Sequence, residues 1–146
     1  MKIYIGADHA GFDMKEGLKT YLADLGYEVV DKGAFKMDAE DDYPDFVKPV
    51  AEAVSADPDS FGIILGGSGQ GEAMCANKVK GIRAAVYYGG ELGITMLTRQ
   101  HNDANILSLG ARFITQEEAQ QAIKIFLETP FSNEERHIRR INKLES

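Results

Sequence analysis
The stretch Gly66-Gly67-Ser68-Gly69-Gln70-Gly71-Glu72 gathers four glycines, a hydroxyl and a carboxylate directly behind an apolar run over residues 61–65. A buried strand that ends this way reads as a binding loop, because glycine lets a ligand come within hydrogen-bonding distance of main-chain N–H groups. Residues 72–78 are for the most part good helix formers, so the loop opens a helix whose free N–H groups and positive end face whatever sits there. Such a nest holds an anion or a developing oxyanion. A flexible surface loop is the alternative reading, but linkers seldom follow a buried strand so abruptly. There is no G-x-G-x-x-G in register and no G-x-x-x-x-G-K-[ST], which disfavours dinucleotide binding.

Around this loop the chain alternates. Hydrophobic patterning predicts strands over residues 2–6, 27–30, 61–65, 82–88 and 106–109. Helices are predicted over 12–25, from Tyr43-Pro44-Asp45-Phe46 onward, after the glycine loop, and over 91–99, 116–127 and 133–144. Gly26 sits where a helix C-cap belongs, and the acidic stretch 38–42 reads as a solvated loop. Alternation of this kind means βαβ crossovers: a doubly wound, Rossmann-like three-layer α/β/α sandwich on a five-stranded parallel sheet. Ligands of such sheets bind outside the carboxyl ends of the strands, near the switch in strand order. That rule collects Asp8-His9, the glycine loop and residues 108–112. With no internal repeat or linker, residues 1–146 read as one domain.

Composition narrows the function. The 146 residues are 44% hydrophobic and carry a formal net charge of −7, so no nucleic-acid footprint is expected and an anionic substrate needs a local cluster of arginines. The single Cys75 allows neither an intrachain disulfide nor a cysteine metal cluster and points to a reducing compartment. The three histidines, at 9, 101 and 137, show no local metal-ligand spacing, so no metal is expected. The N-terminus reaches Asp8 too soon for a signal peptide, and no apolar run approaches the roughly 18 residues of a membrane span. A cytoplasmic protein without membrane contact is expected.

Six ordered motifs then carry a resemblance: Gly-Ala-Asp-His-Ala-Gly at 6–11, Asp-Tyr-Pro at 42–44, the glycine loop ending in Glu72, Ala-Asn-Lys at 76–78, His-Asn at 101–102 and Arg-His-x-Arg-Arg at 136–140. Essentially the whole chain resembles the ribose-5-phosphate isomerase B family, which also contains the galactose-6-phosphate isomerase subunits. The resemblance implies an aldose–ketose isomerase without metal or cofactor, interconverting D-ribose 5-phosphate and D-ribulose 5-phosphate through an enediolate. It also implies a homodimer or dimer of dimers with active sites shared between subunits, the helix near 133–144 contributing to the dimer. One branch of the family has a Cys at the position of Gly66 as its base. This sequence resembles the other branch, in which Glu72 takes that role. Cys75 does not match the catalytic cysteine and reads as a small core residue.

Further roles follow from the resemblance, residue by residue. Moving a proton between C1 and C2 needs a base, Glu72, and an oxyanion cradle, for which the N–H groups of Gly67, Ser68, Gly69 and Gly71 and the Ser68 hydroxyl are suited. His101 matches the ring-opening histidine, since an imidazole titrates near neutrality. Asn102 matches a substrate ligand, Asp8 a residue that contacts the sugar hydroxyls, and Tyr43 lines the pocket. Arg136 and Arg140, four apart on one helix face, match a phosphate clamp with His9 and Arg112, although an unaided pair of this kind is more often a solvated face. The same scaffold also suits galactose 6-phosphate, allose 6-phosphate or a tetrose phosphate. A non-enzymatic anion- or nucleotide-binding module is the reading from another class.

Overall fold
A computed structural model describes residues 1–146. Five strands, β1 (Lys2–Ala7), β2 (Glu28–Asp31), β3 (Phe61–Gly66), β4 (Ala84–Tyr87) and β5 (Ile106–Gly110), form one sheet in the order β2-β1-β3-β5-β4. Every pairing is parallel, with Ile5 opposite Ile63 and Ile64 opposite Ser108 in the central registers. Six helices connect and flank the strands: α1 (Phe12–Asp24), α2 (Pro44–Ala56), α3 (Gln70–Ala76), α4 (Gly93–Asn102), α5 (Gln116–Glu128) and α6 (Glu135–Glu145). This is the expected doubly wound α/β/α sandwich.

The layers follow from strand alternation. Side chains of a strand point to opposite faces in turn, so Ile63 and Leu65 join Leu18, Leu22, Ala119, Ile123 and Phe126 under α1 and α5. Ile64, between them, joins Val47, Val50, Ala51 and Val54 under α2. Each fully buried Val, Leu, Ile or Phe among them contributes about 1.5–3 kcal/mol relative to exposure. The start of α5 is closed by a capping box, in which Thr115 accepts from the Glu118 amide while the Glu118 side chain accepts from Thr115.

The fourth strand is shorter than the pattern 82–88 suggests. Ile82 and Arg83 are irregular residues leading into the strand, and Asn105 fastens them, its Oδ1 accepting the Arg83 amide at 2.8 Å. The exposed edge of β4 is partly closed by the Asn77 side chain, which accepts from Ala84 N at 2.8 Å and donates to Ala84 O at 3.1 Å. That amide supplies the pairing a further strand would give, a protection for an edge that otherwise invites another chain. No helix is long and apolar enough to cross a membrane.

Two buried cations escaped the sequence reading. Lys15 is fully buried, yet its ammonium meets both Asp31 oxygens at 2.9 and 2.7 Å and Ala34 O at 2.8 Å. It ties α1 to β2 and to the segment leading into the acidic loop. Arg99 lies 4.8 Å over the Phe61 ring and donates to Asp103, Ala104 O and Thr129 O, anchoring the end of α4.

Candidate active site
The strand order reverses between β1 and β3, and the residues following their carboxyl ends meet there. The glycine loop leaves β3 and is fastened to β5 and the turn after it by three hydrogen bonds: Ala111 N to Gly66 O at 2.8 Å, Arg112 N to Gly67 O at 3.1 Å and the Ser108 hydroxyl to Gly69 O at 2.7 Å. Gly69 turns with φ +79°, and a Cβ there would press within 3.0 Å of the Leu109 backbone, so both conformation and space require glycine. The amides of Gly67, Ser68, Gly69 and Gly71 donate to nothing within the chain, while Ser68 Oγ accepts from Gln70 N at 3.3 Å. The expected donor cradle is therefore open. One part of the expectation changes: α3 has only 7 residues, so local amides rather than a long helix dipole characterise the loop.

Glu72, the third residue of α3, folds its carboxyl back over Gly66. A Cβ on Gly66 would overlap Glu72 Oε1, so the carboxylate occupies the space that any side chain at 66 would claim. Glu72 is 4% exposed and no cation neutralises it. Burial pushes its pKa up, its own backbone N–H opposes this, and the charge of Asp8 adds to the rise. A carboxyl whose pKa is raised in this way is a stronger base than an ordinary glutamate, the direction a general base needs. Cys75 is half-buried and packs against the core beneath α2; burial pushes its thiol pKa up, the opposite of an activated nucleophile.

Asp8, buried, accepts from Ala10 N at 3.0 Å. Tyr43 brings its hydroxyl to Gly71, where an added Cβ would lie 2.6 Å from it. Arg112 lays its guanidinium along Gly67, 3.2 Å from where a Cβ would stand. His9 donates its main-chain N–H to Asp41 Oδ1 at 3.0 Å, and its ring Nδ1 lies 2.7 Å from the same oxygen. The acidic stretch is thus not wholly solvated: Asp41 folds inward with its side chain 8% exposed. Asp8, His9 and Asp41 bring one donor atom each within 4.8 Å of one another, although Asp41 is already engaged by His9.

The remaining candidates form a second group. His101 and Asn102 lie in the last turn of α4, which continues past the expected end at 99 because Asp103 supplies a left-handed cap with φ 46°. His101 stacks on His137 of α6, centroids 4.4 Å apart and planes at 18°. His137, which sequence reasoning left without a role, is 5% exposed, and burial, with the charges of His101 and Arg136, holds its pKa below the usual histidine value. Arg136 and Arg140 flank it and stand exposed, with Arg136 near Glu134 and His137. No hydrogen bond or ion pair joins this group to the glycine loop. His137 is the only buried residue of α6, so the helix shows most of its surface outward. Ile94 of α4 and Leu144 of α6 are 52% and 68% exposed.

Comparison with known proteins gives the same answer along the whole chain. The family profile described as Ribose/Galactose Isomerase matches residues 3–144. Ribose-5-phosphate isomerase B of Mycolicibacterium paratuberculosis is 45% identical over 144 residues, covering 99% of this chain and 89% of that protein. The structure of ribose-5-phosphate isomerase B from Mycoplasma genitalium with bound ribulose-5-phosphate superposes with a TM-score of 0.94 at 40% identity, covering 99% of this chain and 93% of that one. The enzyme of the same name from Clostridium thermocellum gives 0.93 at 41% identity, with 99% and 95% covered. A profile that spans nearly every residue, and relatives this similar from end to end, establish that the chain belongs to the ribose/galactose isomerase family.

Proposed function
We propose that this protein is a cytoplasmic, cofactor-free aldose–ketose isomerase that interconverts D-ribose 5-phosphate and D-ribulose 5-phosphate, its single domain spanning residues 1–146. The observation that carries the reading is the Glu72 carboxylate, buried, without a cationic partner and raised in pKa, beside a loop of unpaired amides. His101 opens the furanose by moving a proton between the anomeric hydroxyl and the ring oxygen, and Asp8, Tyr43 and Asn102 hold the sugar. Glu72 takes the C2 proton of the aldehyde, and the electron pair passes to the carbonyl oxygen, giving the enediolate. Amides of Gly67, Ser68, Gly69 and Gly71, with the Ser68 hydroxyl, stabilise that oxyanion. A proton moves from O2 to O1, and Glu72 returns its proton to C1, which leaves the ketose. His9, Arg112, Arg136 and Arg140 hold the phosphate.

Purified protein should isomerise ribose 5-phosphate in the presence of EDTA, faster than allose 6-phosphate, galactose 6-phosphate or erythrose 4-phosphate. Equal rates on all four would remove the substrate assignment. Loss of activity in EDTA that a divalent ion restores would remove the metal-free mechanism. Tight nucleotide binding without turnover would favour the binding-module reading.

The two groups of residues belong together in a homodimer, in which α4 and α6 of one subunit bring His101, Asn102, Arg136 and Arg140 to the glycine loop of the other. The outward surface of α6 and the exposed Ile94 and Leu144 support this arrangement. Mixing inactive Glu72→Gln protein with inactive Arg136→Ala/Arg140→Ala protein should restore partial activity as subunits exchange, because one hybrid site then holds all its parts. A fully active monomer in sizing experiments would refute the shared site.

A further inference from the structure
Asp41 stands in a run of exposed residues, yet it alone of the acidic stretch turns its carboxylate inward. Its Oδ1 is shared by the His9 main-chain N–H at 3.0 Å and by His9 Nδ1 at 2.7 Å. Its Oδ2 is buried and has no hydrogen-bond partner. An unpaired carboxylate oxygen in such a place costs free energy, and a neutral acceptor would satisfy the His9 amide without that cost. The charge is therefore directed at the imidazole.

We propose that Asp41 is the positioning residue of the phosphate end of the site: by binding the main-chain N–H and Nδ1–H of His9 together, it fixes the ring and leaves Nε2 as a charged donor for the anion. Asp41 takes this role only if His9 meets the phosphate, as proposed above. With Nδ1–H held by a carboxylate, the neutral ring carries its proton on Nδ1 and the charged ring adds one on Nε2. Three charged groups face the ring. Asp41, before α2, and Asp8, after β1, favour the imidazolium, while Arg112, after β5, opposes it. The hydrogen bond that His9 Nδ1–H donates to Asp41 is the largest of these effects and raises the His9 pKa. His9 then adds a second same-subunit cation to Arg112 in a protein whose net charge is −7.

Asp41→Asn separates charge from geometry, since the amide oxygen still accepts both His9 donors. The test is a long-range ¹H–¹⁵N NMR titration of His9 from pH 5 to 9, with and without sulfate, which stays dianionic across that range. In the wild type, His9 should deprotonate above an ordinary histidine and keep its neutral proton on Nδ1. In Asp41→Asn the midpoint should fall, sulfate affinity near pH 7 should drop by on the order of tenfold, and the Nδ1 tautomer should persist. Where isomerisation is measured, KM should rise more than kcat falls, and His9→Gln/Asp41→Asn should be no weaker than His9→Gln alone. An unchanged midpoint and unchanged sulfate affinity in a folded Asp41→Asn protein would overturn the role. If that variant does not fold, a wild-type His9 midpoint at or below that of an ordinary histidine overturns it equally. Because sulfate binding needs no turnover, absent isomerase activity with the expected titration would count against the proposed reaction and not against Asp41.

Discussion

Glu72→Gln lowers turnover by about 10²–10⁴, the usual worth of a positioned general base. Glutamine keeps the shape of the side chain but cannot take the C2 proton, so exchange of that proton with solvent should vanish together with isomerisation. Phosphosugar affinity should change little, because the amides and cations that hold the ligand are untouched. Cys75→Ala, the control on the same helix, should leave turnover nearly intact, as its raised thiol pKa gives it no part in the chemistry. In the wild type, activity should fall as pH drops through the elevated pKa of Glu72, at higher pH than for an ordinary glutamate. Stability runs the other way. A carboxyl whose folded pKa is raised favours the native state below its unfolded pKa, and that contribution is lost as pH rises through the folded value. Glu72→Gln should therefore melt above wild type at pH 8, with the gap closing in acid. Normal turnover in Glu72→Gln, with Cys75→Ala inactive, would overturn the choice of base.

Gly66→Ala should be almost as damaging, although it adds only one methyl group. The backbone at Gly66 lies outside the left-handed region, so alanine fits without strain, and the hydrogen bond from Ala111 N to Gly66 O is main chain only. The new Cβ collides with the far end of a flexible side chain, the Glu72 carboxyl, which swings away at little cost to the fold. Loss of the base from its place should reduce turnover by about 10²–10⁴ with a melting temperature close to wild type. Gly66→Ala/Glu72→Gln should be no worse than either single change, since both remove one function. A folded Gly66→Ala protein with wild-type turnover would show that the observed carboxyl position is not the working one. The same overlap explains why a side chain at 66 and a carboxylate from 72 are alternative occupants of one space.

How far the site could be read in sequence depends on how local its parts are. The glycine loop and Glu72 are legible because strand, loop and helix are consecutive, and the apolar run 61–65 announces the burial that tunes the carboxyl. Arg112, Asp8 and His9 are reached by a rule about strand ends, once alternation implies a parallel sheet. Asp41 is not legible: nothing local distinguishes it from Asp38, Glu40 or Asp42, and its inward turn is decided by His9, 32 residues away. The His101–His137 stack joins α4 to α6, and the spacing of neither helix reveals it. The left-handed residue at Asp103, which extends α4 through His101, belongs to a residue type that tolerates that conformation, a weak signal after Asn102. Strand order is equally hidden, since alternation of strands and helices fits several orders.

That order constrains how the protein is made. β5 lies between β3 and β4, so when β4 leaves the ribosome β3 is not its partner and β5, the one strand it pairs with, has yet to be made. Synthesis proceeds from the N-terminus, and β2, β1 and β3 can assemble as a three-stranded nucleus while β4 waits for residues 106–110 to be wedged in. The glycine loop waits as well, because Ser108, Ala111 and Arg112 are the groups that fasten its carbonyls. A nascent chain therefore carries Glu72 for about 40 residues of translation, up to Arg112, which at the roughly 5–20 residues per second of synthesis is a matter of seconds, before the cradle around it has a shape.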